Sequence, residues 1–420
     1  MEPLSTEAYK GVRDFYPSEW THLQAMFTRI RETLLLYGYE EYNASPLERA
    51  ELYEAKTSEE IVNEQTYTFT DRGDRRVTLR PEMTPTLARM VAARRRELPL
   101  PLRWFSIGNR FRYERPQRGR LREFYQADVD IVGLPEGEAD IEIVRLASAI
   151  MIGFGVSEKD FTIRINSRPL LNAACAAIGL TAEKTQNYLR FLDRRSKMTQ
   201  EEFVTATGIV SDQDPLAIIE NPGSFTDVTL EKNKLLDRIA TLNTLGVTNA
   251  VFDPHITRGF DYYTGMIFEV FDTDTANTRS LFGGGRYDGL VALFGGEPIP
   301  AIGFGMGDVT LTDFLDTHGV DIESIDAPEL YVGTPSPSDA PVAQALADTL
   351  RKEGVRVFVN LTTKGLGDQI KDAVKRSIPY FVAYGSEEIT SETVRVKNLG
   401  ASTEESLPTS SISAHLQSGN

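Results

Sequence analysis

An arginine-rich segment interleaved with aromatic residues runs from Arg110 to Arg122. Six of its thirteen residues are arginine. A guanidinium group is charged at any relevant pH and presents a planar fork that matches phosphate or carboxylate oxygens two at a time. Charged and aromatic residues alternate on both sides of Pro116 and Gly119, which predicts two strands joined by a turn or loop. The pattern therefore indicates an antiparallel hairpin that carries arginines on its strands and at its tip.

Three polar residues at alternate positions continue this hairpin: Gln126, Asp128 and Asp130. Residues two apart in a strand face the same side of a sheet. Positive and negative groups on one sheet face suit a substrate that has both a phosphate and an ammonium group. A solvated charged hairpin is the alternative, because charge blocks usually lie at the surface.

Two further segments carry polar or glycine-rich clusters. In TRGFDYYTGMIFEVF, Arg258 precedes a glycine, and an aspartate and the tyrosines Tyr262 and Tyr263 follow. This cluster is more elaborate than a turn needs, although a tyrosine-rich strand edge is the alternative. In LFGGGRYDGLVALFGG, three successive glycines allow the backbone to approach a ligand or another strand closely, or they form a simple loop.

Composition limits the function classes. The 420 residues are 41% hydrophobic and 25% charged, which is ordinary for a soluble globular protein of two or three domains. No apolar run approaches the roughly 18 residues that span a bilayer, and no signal-peptide core is present, so we expect a cytoplasmic protein without a membrane segment. Cys175 is the only cysteine, and the four histidines lack metal-ligand spacing. A net charge of −16 argues against non-specific nucleic-acid binding but leaves room for a local basic patch.

Periodicity predicts an α+β core. The pattern predicts helices and strands in an order that gives an antiparallel sheet surrounded by helices, with a mostly helical insertion at about 167–248. The expected helices are 18–37 and 84–98; the expected strands are 39–46, 64–70, 75–80, 161–166, 266–272 and 301–307, besides the arginine hairpin. From a linker near Ser324 to Pro328, strands and helices alternate, which predicts a small, mostly parallel α/β domain. The predicted domains are residues 1–325 and 326–420.

Together these segments resemble one family, the class II histidyl-tRNA synthetases, from GVRDFYP at Gly11 through the tail. The arginine hairpin resembles the second motif of that family. RGFDYY and GGGRYDGL resemble the two signatures particular to the histidine enzymes, and the tail resembles the anticodon-binding domain. The resemblance implies a class II catalytic core and a ligase that uses ATP to activate L-histidine and transfers it to histidine tRNA.

The resemblance also implies which residues bind histidine. LRPEMTPTLAR and FYQADVDIVG resemble segments that supply binding groups, together with RGFDYY. The implied histidine-binding residues are Glu82, Met83, Thr84, Gln126, Asp130, Arg258, Tyr262 and Tyr263. Glu82 and Asp130 can pair with the substrate ammonium, and one of the two tyrosines can hydrogen-bond the imidazole. Many relatives have a bulkier acid at position 130 and a glycine at position 128.

A second set is implied for ATP: Arg112, Glu114, Arg120 and Arg122. Activation brings the histidine carboxylate against the α-phosphorus of ATP, and both groups are negative. Arg112 and Arg258, the implied catalytic residues, can neutralise them and hold them close together. Mg²⁺ held by the ATP phosphates and one or two carboxylates is expected, but the sequence identifies no ligand for it.

The resemblance also has an implication for assembly, and it fails at one position of the third motif. Pro46 resembles the proline of the first motif and implies a homodimer. In AIGFGMGDVTLTDFL, Thr310 stands where the third motif usually places an arginine that packs on ATP. The loss of a fixed cation from an ATP site costs on the order of a few kcal/mol of transition-state stabilisation unless another arginine substitutes.

Two other function classes remain open. The first is a non-catalytic relative that binds histidine and regulates another enzyme, such as the regulatory subunit of ATP phosphoribosyltransferase. Such a subunit is expected to lack the tail and Arg258, and this chain has both. The second is a synthetase for another amino acid, which the two histidine-type signatures oppose. The tail has nine Lys and Arg against eleven Asp and Glu, although its basic residues Lys364, Lys371, Lys375 and Arg376 have helical spacing.

Overall fold

The computed structural model describes residues 3–54, 65–195, 198–208, 214–258, 262–322 and 327–418. The chain folds into two compact units, residues 1–322 and 323–420. The predicted domain limit at residue 325, and part of the predicted linker, lie outside the described residues. Within the described ranges, no helix is long and apolar enough to cross a membrane.

An eight-stranded sheet forms the centre of the first unit, with the order β1-β5-β6-β11-β10-β9-β7-β8. The pairs β1–β5 and β7–β8 are parallel, and every other neighbouring pair is antiparallel. Three strands form a smaller antiparallel sheet in the order β2-β4-β3. The strands are β1 Glu40–Glu41, β2 Leu47–Arg49, β3 Tyr67–Thr70, β4 Arg76–Leu79, β5 Leu102–Phe111, β6 Glu123–Val132, β7 Phe161–Ser167, β8 Ala250–Phe252, β9 Met266–Asp272, β10 Ser280–Arg286 and β11 Ala301–Gly307.

Helices surround this sheet. The described helices of the first unit are α1 Pro17–Leu36, α2 Glu51–Glu54, α3 Thr84–Ala93, α4 Glu138–Gly153, α5 Arg168–Ala177, α6 Ala182–Asp193, α7 Gln200–Thr207, α8 Pro215–Glu220, α9 Thr226–Thr244 and α10 Asp308–Thr317. The apolar face of α1 packs with α4 and with alternate residues of β6 (Ala127, Val129 and Ile131) in the main core. The intervening residues of β6 therefore face the other side of the sheet, as the alternation predicts.

Three expectations differ from the structure. The strand expected at 39–46 is reduced to β1, because the ladder to β5 stops after Glu41 and Pro46 has no N–H to extend a ladder. The helix expected to end at 98 stops at Ala93, before the arginine run. The glycine run is β10, which lies between β9 and β11 in the middle of the sheet. Sequence missed this strand because consecutive glycines carry no alternating pattern.

The second unit has a five-stranded sheet in the order β13-β12-β14-β15-β16. Its elements are β12 Leu330–Gly333, α11 Ala340–Lys352, β13 Val357–Val359, α12 Leu366–Lys375, β14 Tyr380–Ala383, α13 Ser386–Ser391, β15 Thr393–Asn398, β16 Thr403–Pro408 and α14 Ile412–Ser418. The predicted strand–helix alternation is confirmed for β12 to β14, which pair in parallel. The sheet is mixed, however, because β15 and β16 add an antiparallel hairpin. This hairpin was not predicted because its sequence is mostly polar.

Candidate active site

A cavity of about 300 Å³ lies on the sheet face that carries Gln126 and Asp128. Its lining comes from the segment before α3, the β5–β6 hairpin, the end of the loop before β9, strands β9 to β11 and the start of α10. The residues predicted from sequence that line it are Glu82, Thr84, Arg112, Glu114, Arg120, Gln126, Arg258, Tyr262 and Tyr263. One cavity therefore collects residues that are far apart along the chain.

The floor of the cavity is a glycine-rich strand paired with a polar one. In the register of β6 and β11, Gly303 lies opposite Asp130 and Gly305 lies opposite Asp128. A Cβ atom on Gly303 would overlap the Asp130 carboxylate, and one on Gly283 of β10 would overlap the Arg258 guanidinium. Glycine is required at these two positions because the Asp130 carboxyl group and the Arg258 guanidinium lie directly over the backbone.

Arg258 enters the cavity from a left-handed backbone conformation, with φ of 57°. This conformation is uncommon for a residue with a side chain and costs energy that the surroundings must offset. The Arg168 guanidinium donates to the Arg258 carbonyl at 2.6 Å, and Arg258 Nη1 donates to Glu269 Oε1 at 3.1 Å. Both ends of the residue are therefore held, and the cation is fixed in place.

Tyr262 and Glu82 form a second fixed pair in the cavity. The Tyr262 hydroxyl donates to Glu82 Oε2 at 2.9 Å, and both residues are buried. Burial, and then the charge of the Glu82 carboxylate, raise the pKa of Tyr262 well above its ordinary value. Tyr262 therefore remains a protonated hydrogen-bond donor throughout the physiological range. The ring of Tyr263 packs 4.9 Å from that of Tyr262, centroid to centroid.

Asp130 lies below the cavity rather than in its lining. Its Oδ1 atom accepts a hydrogen bond from the Tyr287 hydroxyl, and Oδ2 has no hydrogen-bond partner in the described part of the chain. Burial raises the pKa of Asp130 to about 8. Tyr287, which does line the cavity, therefore stands at the position from which Asp130 was expected to reach the substrate ammonium.

Asp128 lines the cavity next to Gln126, but other residues already engage its carboxylate. Arg110 Nη2 contacts Asp128 Oδ2 at 2.6 Å, and Gln126 Nε2 donates to Asp128 Oδ1 at 2.6 Å. Arg110 and Asp128 are both buried, so their pairing compensates the charges that burial would otherwise penalise. Arg110, the first arginine of the hairpin, is thus engaged in an ion pair and is absent from the cavity lining.

Arg112 and Arg120 of the hairpin also line the cavity. Arg112 Nε donates to the Pro81 carbonyl at 3.0 Å, and its guanidinium carbon lies 5.2 Å from the centre of the Phe124 ring. Arg120 Nη1 lies 3.3 Å from Glu114 Oε2. Both arginines present charge to the cavity from the strands and the tip of the hairpin.

Two further predicted binding residues, besides Asp130, lie outside the cavity lining. Met83 is fully buried beneath it. Arg122 instead stacks on Tyr113, with its guanidinium carbon 4.0 Å from the ring centre, and donates to the Tyr9 hydroxyl at 3.1 Å. Its backbone N–H donates to the Gly11 carbonyl at 2.7 Å. Arg122 therefore connects the N-terminal segment to the hairpin through its side chain and its backbone.

Thr310 lines the cavity near the first turn of α10. Its hydroxyl donates to the Leu281 carbonyl at 2.5 Å. The side chain therefore ties α10 to β10 and brings no charge to the site.

The polar residues of the lining that the sequence did not indicate as binding groups include Glu269 and Tyr287. A lone glutamate in the apolar strand MIFEVFD was the available signal for Glu269, because a buried charge requires a partner. Tyr287 was visible in GGGRYDGL without an assigned role. The arginine of that signature, Arg286, has a structural contact instead, a buried ion pair with Asp140 at 2.8 Å.

The fold and the site define a class II aminoacyl-tRNA synthetase core: an antiparallel sheet with arginines, acids and tyrosines over a glycine-rich floor. The family model for histidyl-tRNA synthetase matches residues 11–309, and the model for the anticodon-binding domain matches residues 330–418. The chain belongs to the histidyl-tRNA synthetase family.

Comparisons with similar sequences and solved structures support this assignment. The chain is 39% identical over 413 residues to the histidine–tRNA ligase of Leptospira biflexa, covering 95% of this chain and 94% of that protein. It is 35% identical over 417 residues to the histidine–tRNA ligase of Halobacterium salinarum, covering 95% of each. The histidyl-tRNA synthetase of Nostoc has the same fold, with a TM-score of 0.82 at 22% identity over the full length of both chains. An ATP phosphoribosyltransferase regulatory subunit/histidyl-tRNA synthetase from Bacillus halodurans also shares the fold, with a TM-score of 0.73 at 23% identity, covering 91% of this chain and 99% of that one.

Proposed function

We propose that this chain is a histidine–tRNA ligase, which activates L-histidine with ATP and transfers it to the 3′ end of histidine tRNA. One observation carries the proposal: Arg258 and Arg112 line the same cavity, the first beside the Tyr262–Glu82 pair and the second on the arginine hairpin. A single pocket thus offers hydrogen-bonding groups for an amino acid at one end and cations for a nucleotide at the other.

The histidine end of this cavity comprises Glu82, Thr84, Arg258, Tyr262 and Tyr263. Glu82 offers a carboxylate to the substrate ammonium, and the tyrosine hydroxyls offer hydrogen bonds to the imidazole. Buried polar groups of this kind reject a substrate that cannot complete their hydrogen bonds, which gives selectivity for histidine. Gln126 lies in the same lining and adds an amide. In this proposal Asp130 acts through Tyr287, because its carboxyl oxygen accepts a hydrogen bond from the Tyr287 hydroxyl.

The nucleotide end comprises Arg112, Glu114, Arg120 and Phe124. The attacking carboxylate and the α-phosphate repel each other, so the reaction needs fixed positive charge between them. Arg112 orients the α-phosphate and Arg258 the carboxylate, which makes the attack effectively intramolecular. Both cations are already in place before the reaction, so charge that develops in the transition state is stabilised without reorganisation.

Mg²⁺ fits this site as a partner of the ATP phosphates. The described residues contain no group of three or more histidine, cysteine or acidic side chains that could hold a metal alone. Mg²⁺ in nucleotide sites takes most of its ligands from phosphates and water, with one or two carboxylates. Glu114 is the carboxylate of the nucleotide end, and the bound ion would supply further charge neutralisation there.

Histidine tRNA is the second substrate in this proposal. The C-terminal unit matches an anticodon-binding domain, which favours a tRNA partner over a small-molecule regulator. Of the basic residues expected to form one face, Lys371 and Arg376 pair with Asp368 and Asp372 of the same helix. The positive potential of this helix is therefore smaller than its basic residues alone suggest.

ATP–pyrophosphate exchange with each of the twenty amino acids tests the proposal. Exchange should depend on histidine and on Mg²⁺, and transfer to histidine tRNA should follow. Tight binding of histidine without any exchange would instead favour the regulatory alternative. Exchange with a different amino acid would contradict the predicted specificity.

A homodimer is the assembly that we propose. Pro46 accepts a backbone hydrogen bond from Arg80 at 2.8 Å and precedes β2 of the small sheet. That sheet exposes two large apolar side chains, Leu47 (44% exposed) and Phe69 (50% exposed), which a second copy could cover. Light scattering at micromolar concentration should give the mass of two chains, and a monomeric mass would overturn this assembly.

A further inference from the structure

We propose that Arg279, which follows the β9 strand and precedes β10, binds the terminal phosphates of ATP and supplies the cation that Thr310 does not. This inference rests on the proposed function, because it adds a residue to the same nucleotide site. It concerns a side chain that no signature in the sequence indicated.

A second cavity, of about 350 Å³, adjoins the first. The two share Gly119 at the hairpin tip, Leu281 on β10 and Thr310 on α10. The nucleotide end of the first cavity therefore continues past Thr310 into a second space. A triphosphate that starts at Arg112 can extend in this direction.

Arg279 lies in the lining of this second cavity, close to the shared boundary. An ideal Cβ on Gly119 would lie 3.7 Å from Thr310 Cγ2 and 3.9 Å from Arg279 Nη1. Gly119 has no side chain to separate the arginine from the threonine. A short threonine on one side and a glycine on the other thus leave a path from the Arg279 guanidinium to the nucleotide.

The charge of Arg279 is not neutralised by the contacts that the structure describes. Its Nη1 donates to the Arg118 carbonyl at 3.2 Å, and its Nη2 donates to Gln117 Oε1 at 3.1 Å. Both acceptors are neutral. Arg118, the other arginine of this cavity, instead lies 3.7 Å from Asp313 Oδ2. Arg279 therefore retains charge for an anion, and its exposed guanidinium can leave two neutral acceptors at little cost.

The contact to Gln117 raises a competing explanation, in which Arg279 only holds the hairpin tip in place. Two variants separate the explanations. Gln117→Ala removes the side-chain acceptor and leaves the arginine, so it reproduces the Arg279→Ala effect only if loop positioning matters. Arg279→Ala combined with Thr310→Arg returns a guanidinium to the site from the other side, and it rescues only a lost charge.

The test measures KM for ATP, pyrophosphate and histidine in the exchange reaction, together with calorimetric binding of ATP, which needs no turnover. Arg279→Ala should raise KM for ATP and for pyrophosphate about tenfold and weaken ATP binding equally, with KM for histidine within about twofold. The KM for ATP of Arg279→Lys should lie between those of the wild type and Arg279→Ala, and that of Gln117→Ala should match the wild type. Thr310→Arg added to Arg279→Ala should restore most of the lost ATP affinity.

Three outcomes would overturn the inference. They are unchanged ATP binding in Arg279→Ala, an equal loss in Gln117→Ala, or a failure of Thr310→Arg to rescue. A wild-type protein that binds ATP through Arg279 but catalyses no exchange would contradict the proposed function and leave this inference intact.

Discussion

The histidine end and the nucleotide end of the cavity hold their charges in opposite ways. At the histidine end, Arg258 pairs with Glu269, and Glu82 accepts a hydrogen bond from Tyr262. At the nucleotide end, the described contacts of Arg112 and Arg279 are with neutral oxygens and an aromatic ring. The charged groups of the first end are paired with each other, whereas the second end keeps Arg112 and Arg279 without a carboxylate partner among the described residues, beside its one described ion pair, Arg120–Glu114.

This difference matches the two substrates that we propose. An amino acid is small and zwitterionic, so selection depends on hydrogen-bonding groups held at fixed positions. ATP carries several negative charges, so its site needs cations that no protein carboxylate already neutralises. Variants at the two ends should therefore separate cleanly, with KM for histidine changing at one end and KM for ATP at the other.

The largest effect should come from Arg258→Ala. The change removes a preorganised cation worth roughly 3 kcal/mol to the transition state, so the rate of histidine activation should fall by about two orders of magnitude or more. Exchange assays measure the rate, and circular dichroism checks that the fold is intact. Arg31→Ala is the matched control, because Arg31 pairs with Glu41 at 2.8 Å outside the cavity lining. Unchanged turnover would remove Arg258 from the mechanism.

A smaller effect is expected from Glu269→Gln, which keeps the shape of the side chain and removes its charge. Arg258 would lose its charged partner, and KM for histidine should rise about tenfold, with KM for ATP within about twofold. Glu142→Gln, which disturbs a half-buried pair with Arg103 at 2.6 Å away from the lining, serves as the control. If KM for ATP changed as much as KM for histidine, the two ends would not be separable.

The smallest effect concerns stability and Asp130. Its pKa rises from 3.8 to about 8 in the folded protein because the carboxyl group is buried. The unfolded chain therefore releases this proton near pH 4, while the folded chain keeps it to about pH 8. The contribution of this proton to the free energy of unfolding is therefore fully present below pH 4. It is lost as pH rises from about 4 to about 8, by at most about 1.4 kcal/mol per pH unit.

Asp130→Asn removes this proton linkage but keeps an acceptor for the Tyr287 hydroxyl. The free energy of unfolding of the variant, relative to the wild type, should therefore increase between pH 5 and pH 8. Denaturant titrations at both values measure it in the absence of substrates. A constant difference between the two proteins would mean that Asp130 titrates in its ordinary range.

Much of the nucleotide end was readable from the sequence, because the arginine hairpin combines strand alternation with turn residues. The pattern predicted the hairpin and its arginines, and Arg112, Glu114 and Arg120, which the family resemblance implied as ATP-binding residues, line the cavity. Arg122, which the same resemblance implied, is absent from the cavity lining, and its role in binding ATP stays a prediction. Its stacking between Tyr9 and Tyr113 depends on where the N-terminal segment lies.

The histidine end was readable only in part. Glu82, Arg258 and the tyrosines were found from short motifs, but their partners Glu269 and Tyr287 lie on other strands. Asp130, which the resemblance implied as a histidine-binding residue, lies outside the cavity lining and accepts a hydrogen bond from Tyr287, so its role stays a prediction. No local pattern contains that information.

The sequence by itself predicted most of the elements and the sheet face of Gln126 and Asp128, because these depend on local periodicity and turn chemistry, but it did not predict β10, β15 or β16. It also determined the family, because its motifs are specific. Only the tertiary structure decided which charges are neutralised. Whether an arginine is held in an ion pair, as Arg110 is, or keeps its charge for a ligand, as Arg279 does, depends on carboxylates brought near it from distant parts of the chain.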